Sequence, residues 1–310
     1  MRLVFMGTPR AAVPTLRRCL EDGHEVAAVW TQPDRPAGRG NKLAAPPVKE
    51  FALRAGLTVH QPAKIKNEEA LRLFASHEAD AVVVVAYGRI LPAGFLSAPR
   101  RGCVNVHFSL LPRYRGAAPV NWAIVRGETE AGVTTMRIVE KLDAGAVLLQ
   151  RATEIGGGET APELMERLSV TGAELLSETL KRFDEIEPRE QEEEKATFAP
   201  VLRREDGLID WALDAAQIER RVRGFQPWPN AHTTFNSQRL VIWRAGVAGD
   251  EPAKAGGAGE IVVAHGDELL VSCGEGTRLR LHEVQPEGKR RMSARDFLNG
   301  ARVRAGERFG

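Results

Sequence analysis

Asn105 and His107 lie two residues apart in the segment Cys103–His107, and Asp143 follows later in a Leu-Asp-Ala-Gly turn. Because successive side chains of a strand alternate between its two faces, a strand here would place Asn105 and His107 on the same face. An amide N–H can stabilise a developing oxyanion, and a histidine can take up and release protons near neutral pH. A nearby carboxylate can fix the histidine tautomer, favour its charged form or position a water molecule. The sequence leaves these three roles of Asp143 open.

Each of these residues alone has a simpler structural interpretation. A single histidine at a strand end is more often structural, and an Asp in Asp-Ala-Gly usually forms a turn by bonding its own backbone. The order of the motifs favours function. The run Asn-Val-His-Phe-Ser-Leu-Leu-Pro-Arg-Tyr-Arg-Gly, followed by Leu-Asp-Ala-Gly, resembles the signature of the formyltransferases that use 10-formyltetrahydrofolate. The resemblance implies that Asn105, His107 and Asp143 are catalytic, and that formyl transfer to an amine proceeds through a tetrahedral intermediate.

The resemblance also assigns two segments to folate binding, and one residue departs from the family pattern. Phe108 stands where members of the family usually carry a small residue between the histidine and the serine. The folate-binding loop is expected at Ser109, Leu110, Leu111 and Pro112, and the lining of the pterin pocket at Val84, Ala86, Tyr87, Gly88, Ile90 and Leu91.

Composition bounds the class of protein. The chain has 310 residues, 43% hydrophobic and 27% charged, with a formal charge of +2, so net charge cannot argue for nucleic acid. Cys19, Cys103 and Cys273 are not at metal-ligand spacing, which predicts neither a disulfide framework nor a metal site. An attacking amine needs no covalent enzyme intermediate, so Cys103 and Ser109 need not be nucleophiles. No apolar run reaches the length of a membrane span, and we expect a cytoplasmic protein.

Strand-like segments alternate with helical patterns in the first half of the chain. This alternation predicts an α/β fold: a Rossmann-like open, mostly parallel sheet with helices on both faces, where ligands bind at the carboxyl ends of the strands. Gly7-Thr8-Pro9 lacks the G-x-G-x-x-G pattern, which argues against NAD. The predicted strands are residues 3–6, 25–30, 57–60, 80–86, 103–107 and 133–138.

The second half predicts a different architecture. A helix capped by Thr160 and Glu163 closes a first domain of residues 1–183, and residues 184–204, with seven acidic side chains between Asp184 and Glu194, predict a solvated linker. A helix capped by Asp214 and Gln217, five short strands and a helix starting at Ser293 predict a small OB-fold-like β-barrel domain at 205–310. The five strands are expected near 231–235, 239–247, 259–264, 268–273 and 277–284.

The catalytic motif does not by itself identify the acceptor amine. The segment from Thr31 through Gly40 to Lys42 resembles the basic loop of the family branch that acts on initiator methionyl-tRNA, and residues 278–308 carry nine basic and four acidic side chains. Two alternative functions stay open. The protein could be a formyltransferase that acts on an amino-sugar nucleotide, or an RNA-binding protein with an inactive core. We expect the protein to be a monomer. The candidate tRNA-binding residues are Arg35, Arg39, Lys42, Lys289, Arg290 and Arg291.

Overall fold

The computed structural model describes residues 1–37, 42–249 and 256–310. The chain forms two compact units, each of which is built from three separate segments of the sequence. The first unit comprises Met1–Pro119, Glu130–Glu154 and Met165–Ala199, and the second comprises Val120–Thr129, Ile155–Leu164 and Pro200–Gly310. The domain boundaries expected from the sequence, at 183 and 204, stay a prediction.

The first unit contains a large sheet, with helices between its first strands. The strands of the unit, seven of which form the large sheet, are β1 (Arg2–Gly7), β2 (Glu25–Trp30), β3 (Arg35–Ala37), β4 (Lys42–Ala44), β5 (Val59–His60), β6 (Ala81–Val85), β7 (Cys103–His107), β8 (Arg115–Gly116), β9 (Glu130–Arg137), β10 (Val147–Glu154) and β11 (Phe198–Ala199). The helices of this stretch of the chain are α1 (Val13–Glu21), α2 (Pro47–Arg54), α3 (Glu68–Ala75), α4 (Ala93–Ser97), α5 (Pro119–Val125) and α6 (Ala161–Lys181). All of α5 after Pro119 and the first turn of α6 belong to the second unit.

The sheet has the strand order β10–β9–β7–β6–β1–β2–β5. The five strands from β7 to β5 run parallel, whereas β9 and β10 are antiparallel additions at one edge. All five residues of the Ala-Val run in β6 are buried, as expected for a central strand covered on both faces. The predicted mostly parallel α/β sheet is confirmed, and β10 was not predicted because its polar and charged residues suit an exposed edge.

The strand order reverses beside β1, which fixes where a ligand can bind. From β1 the chain proceeds to β2 and β5 on one side, then returns to β6 and β7 on the other side. In open α/β sheets the crevice at the carboxyl ends beside such a reversal is the usual ligand site. Here those ends are Gly7 in β1, Val85 in β6 and His107 in β7.

The second unit is built on a curled antiparallel sheet, and it confirms the predicted five strands. Bulges along β13 and β14 interrupt the ladders and increase the local twist. The strand order is β12–β13–β16–β15–β14, with β17 paired to β16. Its elements are α7 (Ala215–Gly224), β12 (His232–Phe235), β13 (Gln238–Val247), β14 (Ile261–His265), β15 (Glu268–Ser272), β16 (Arg278–Pro286), β17 (Met292–Ser293) and α8 (Ala294–Ala301).

The helix ends follow the capping residues identified in the sequence. The Asp214 carboxylate accepts the Gln217 backbone N–H at 2.8 Å, and the Ser293 hydroxyl accepts that of Asp296 at 3.1 Å. The Glu163 carboxylate accepts the Thr160 backbone N–H at 2.8 Å. These local bonds satisfy backbone donors that would otherwise be orphaned at the first turn.

Candidate active site

The two faces of β7 separate packing from chemistry. A Cβ added to Gly172 of α6 would lie 2.9 Å from Cγ1 of Val106, so Val106 packs against that helix. Because strand side chains alternate, Asn105 and His107 face away from α6. In register, Asn105 lies opposite Val84 of β6 and Met136 of β9. The strand therefore delivers both polar side chains to one face at its carboxyl end.

His107 is held by the loop that follows it. The residue is 6% exposed, and its Nε2 lies 2.9 Å from the carbonyl oxygen of Tyr114. A carbonyl only accepts, so this bond assigns a proton to Nε2. The other ring nitrogen, Nδ1, lies 3.8 Å from Oδ2 of Asp143, which is too far for a direct hydrogen bond but close enough for charge pairing. The Tyr114 carbonyl, rather than Asp143, therefore selects the tautomer.

Asp143 lies in a turn whose backbone is held by close contacts. The residue has φ +48°, and its Oδ2 accepts the Gly116 N–H at 2.8 Å. A Cβ on Gly145 would lie 1.9 Å from the Arg137 carbonyl oxygen, so only glycine fits there. The turn thus directs the carboxylate toward His107.

The Asn105 amide is available for a ligand. The residue is partly buried at the carboxyl edge of the sheet. Within the described parts of the chain its side chain has no hydrogen-bond partner. An amide donor without a partner beside a histidine and a carboxylate fits the stabilisation of negative charge on a substrate oxygen.

The loop expected to bind folate is fixed by β9 and β10. The Thr134 hydroxyl donates to the Ser109 carbonyl at 2.6 Å, and Gln150 Nε2 donates to the Leu111 carbonyl at 2.8 Å. The Leu110 side chain packs close to Gly132, and Pro112 follows a cis peptide bond. These contacts give the loop one shape; its role in folate binding stays a prediction.

Phe108, which departs from the family pattern, packs where Gly172 of α6 has no side chain. It is 6% exposed, and a Cβ on Gly172 would lie 3.5 Å from its Cε1 atom. The ring therefore packs toward α6, on the face away from His107, and does not enter the catalytic face.

The residues expected to line the pterin pocket divide between two cavities. Ile90 and Leu91 line one of about 600 Å³, whose other walls include Phe95 and Glu140. Ala86, Tyr87 and Gly88 line another of about 370 Å³, together with Arg35. Val84 is buried in β6 beside Asn105.

Tyr87 is anchored by its backbone. Its carbonyl accepts from the Thr8 hydroxyl at 3.1 Å and from Gln32 Nε2 at 3.0 Å, and burial raises the pKa of its phenol. The connection after β6 is therefore tied to the ends of β1 and β2.

The base of the predicted basic loop is a β-hairpin formed by β3 and β4. Arg35 is exposed on β3, and Lys42 pairs through its backbone with Ala37. Residues 38–41, which include Arg39, lie outside the described residues, as does the side chain of Lys42. Below the hairpin Lys49 Nζ pairs with Asp34 at 2.7 Å.

The basic turn between β16 and β17 is exposed. Lys289, Arg290 and Arg291 all lie on the surface, and Arg291 also pairs with Glu283 and covers the Trp243 ring at 5.2 Å. The tRNA-binding role expected of these three residues stays a prediction.

Sequence reasoning missed the groups that hold the site together. They are the Tyr114 carbonyl, the Gly116 amide and the side chain of Gln191, which donates to the carbonyls of Asp143 and Gly145 at 2.9 and 2.8 Å. Backbone groups leave no residue-type signal. The only hint at Gln191 is one uncharged amide within an acidic run.

No other chemistry is indicated at the cysteines. Burial raises the pKa of Cys19, Cys103 and Cys273 to about 12, which keeps the thiols neutral and unreactive.

Across residues 1–37, 42–249 and 256–310, no cluster of three or more His, Cys, Asp or Glu side chains could hold a metal ion. No helix in the same ranges is long and apolar enough to cross a bilayer.

Comparison with known proteins defines the class. Residues 1–180 match the family model described as formyl transferase, and residues 201–302 match its C-terminal domain. A sugar 3N-formyl transferase has a TM-score of 0.66 at 17% identity, covering 94% of this chain and 99% of its own. HypX from Aquifex aeolicus has a TM-score of 0.64 at 17% identity, covering 99% of this chain and 48% of its own. These likenesses show the formyltransferase fold.

Relatives that align over nearly their whole length identify the family more specifically than the fold does. The methionyl-tRNA formyltransferase of Solibacter usitatus is 51% identical, and that of Geobacter metallireducens is 46% identical. Each alignment covers 100% of this chain and 99% of the relative. The chain belongs to the methionyl-tRNA formyltransferase family.

Proposed function

We propose that the protein transfers the formyl group of 10-formyltetrahydrofolate to the α-amino group of methionine on initiator methionyl-tRNA. The observation that carries this proposal is the meeting of Asn105, His107 and Asp143 at the carboxyl end of β7, in a chain with full-length relatives of that name. We also propose a cytoplasmic location, because translation substrates of this kind occur there.

The described residues fit a folate co-substrate. The Asn105 amide has no partner within the described chain, and the cavity beside Ile90 and Leu91 is mostly apolar, which suits a pterin or aromatic ring. When bound, 10-formyltetrahydrofolate supplies the formyl group from its N10 nitrogen. Asn105 donates to the formyl oxygen, where negative charge develops as the amine attacks.

His107 handles the proton of the attacking amine. Its Nε2–H is occupied by the Tyr114 carbonyl, so Nδ1 is the nitrogen that can accept a proton. Asp143, 3.8 Å from Nδ1, stabilises the imidazolium that results. His107 can then return this proton to the departing nitrogen, so no metal or covalent enzyme intermediate is needed.

Transfer RNA is proposed to contact two basic surfaces. One is the hairpin of β3 and β4 with Arg35, Arg39 and Lys42, and the other is the turn with Lys289, Arg290 and Arg291. Arginine and lysine side chains neutralise phosphates, and arginine also stacks on unpaired bases. The protein is proposed to act as a monomer.

The test offers the purified protein 10-formyltetrahydrofolate with one acceptor at a time. We expect formylation of charged initiator tRNA and none of an amino-sugar nucleotide or of uncharged tRNA. Product on the sugar nucleotide alone would identify the alternative enzyme. Tight tRNA binding without any formylated product would identify an RNA-binding protein with an inactive core.

A further inference from the structure

A short acidic segment runs antiparallel to the catalytic turn. Arg189 exchanges two backbone hydrogen bonds of 2.8 Å with Val147, on the C-terminal side of the turn. Four residues later, Glu193 pairs with Lys141 at 2.6 Å, on its N-terminal side. Residues 189–193, which we call the strap, therefore span the turn that carries Asp143.

Gln191 lies at the centre of the strap and makes the contacts a strand backbone would make. Its Nε2 donates to the carbonyl of Asp143 at 2.9 Å and to that of Gly145 at 2.8 Å. One side-chain amide thus satisfies two carbonyls of a turn in which Asp143 has φ +48°. A non-glycine residue with a positive φ of this size is strained, so its conformation needs such external restraint.

The orientation of Gln191 is itself fixed by a buried cation. Arg115 is 1% exposed; its Nε donates to Gln191 Oε1 at 3.0 Å and its Nη1 to Glu193 at 2.9 Å. Because the carboxamide oxygen must face Arg115, the NH₂ group must face the two carbonyls.

The residues on either side of Arg115 contact the other catalytic groups. The Tyr114 carbonyl accepts from His107, and the Gly116 N–H donates to the Asp143 carboxylate. One tripeptide therefore holds His107, the Asp143 side chain and, through Gln191, the Asp143 backbone.

We infer that Gln191 is a positioning residue: it clamps the Asp143 turn and so sets the separation between the Asp143 carboxylate and His107. Removing the clamp leaves substrate-binding groups in place but lets the carboxylate move. A misplacement of about 1 Å in a catalytic group can cost roughly a hundredfold in rate. The inference rests on the proposed formyl transfer for its kinetic readout.

The kinetic test compares Gln191→Ala with Glu187→Ala, an exposed neighbour outside the strap. We expect Gln191→Ala to lower kcat about tenfold to a hundredfold with KM for both substrates within about twofold, and Glu187→Ala to match wild type. Gln191→Glu, nearly isosteric, should lose as much, because it places an oxygen against two carbonyls. Near-normal kcat in either folded Gln191 variant would overturn the inference, and Gln191→Glu decides if the alanine variant does not fold.

A double-mutant cycle separates positioning from general destabilisation. If Gln191 acts through Asp143, adding Gln191→Ala to Asp143→Ala should change the residual turnover by less than about twofold. A further full loss would show that Gln191 acts elsewhere and would overturn the inference.

Hydrogen exchange gives a readout independent of activity. Gln191→Ala should speed amide exchange in the peptide covering residues 141–147 and leave peptides of β1 and β2 unchanged. Unchanged exchange there would contradict the clamp. If the wild-type protein formylates no tRNA, the proposed function fails, while this measurement still tests the strap.

Discussion

At the scale of single residues, three side chains divide the chemistry. Asn105 is a donor without a partner among the described residues, whereas His107 has one nitrogen engaged by the Tyr114 carbonyl. The remaining nitrogen faces Asp143 at 3.8 Å. This arrangement favours charge stabilisation over tautomer selection as the role of Asp143, a choice that the sequence left open.

Asn105→Ala, His107→Ala and Asp143→Ala should each keep the fold and tRNA affinity and lose most turnover. Loss of an oxyanion donor typically costs about a hundredfold to a thousandfold, and loss of a general acid or base about a hundredfold to ten-thousandfold. Single-turnover assays with saturating substrates measure the loss of turnover, and circular dichroism checks that each variant keeps the fold. A variant with near-normal turnover would remove its residue from the catalytic set.

At the scale of elements, the turn after β9 has a shape that only glycine permits at position 145, and it positions Asp143. The hairpin of β3 and β4 carries the exposed Arg35 and is proposed to contact tRNA.

Gly145→Ala should be strongly destabilising, because its Cβ would lie 1.9 Å from the Arg137 carbonyl oxygen and the turn would have to open. We expect a loss of more than about 2 kcal/mol in the free energy of unfolding, together with reduced kcat. Gly158→Ala is the matched control, since nothing lies within 4 Å of its added Cβ. Urea denaturation of both variants checks this, and equal stability would contradict the close approach.

Arg39→Leu should reduce activity on tRNA strongly and leave folate binding unchanged, and Lys42→Ala should be milder because a lysine lacks the planar fork of arginine. Together they should flatten the dependence of tRNA affinity on salt, whose slope follows the number of neutralised phosphates. Arg182→Gln, at the residue directly after α6, is the control for loss of one surface charge. An unchanged salt slope with normal activity would leave the second unit as the remaining tRNA contact.

At the scale of the whole molecule, burial disfavours the charged form of histidines in both units. Burial lowers the pKa of His24, His60, His77, His232 and His282. In the first unit, the Trp30 indole N–H donates to His77 Nε2 at 3.3 Å, which requires that nitrogen to be unprotonated. An unfolded chain protonates these histidines at a higher pH than the folded protein does.

The free energy of unfolding should therefore fall as pH drops below about 6.5, the ordinary histidine pKa, and continue to fall until the folded histidines also titrate. Above that pH this contribution is fully present. Urea denaturation between pH 7.5 and 5.0 measures the decline, and His77→Phe should reduce it. A flat stability profile over this range would refute the prediction.

The sequence by itself determined whatever depends on near neighbours in the chain. Alternation of Asn105 and His107 along β7, the caps at Asp214 and Ser293, and the Ala-Val run of β6 follow from local periodicity and hydrogen bonding, and all were predicted. Only the tertiary structure decided the strand order, the edge position of β10 and the use of the acidic strap. These depend on contacts between residues that lie from 11 positions apart, as Met136 and Val147 do, to 78 apart, as Leu3 and Ala81 do. The contacts are made largely by backbone groups, which carry no residue-type signal. Gln191 looks like a linker residue because its partners, two carbonyls more than 45 positions away, come near only when the sheet has formed.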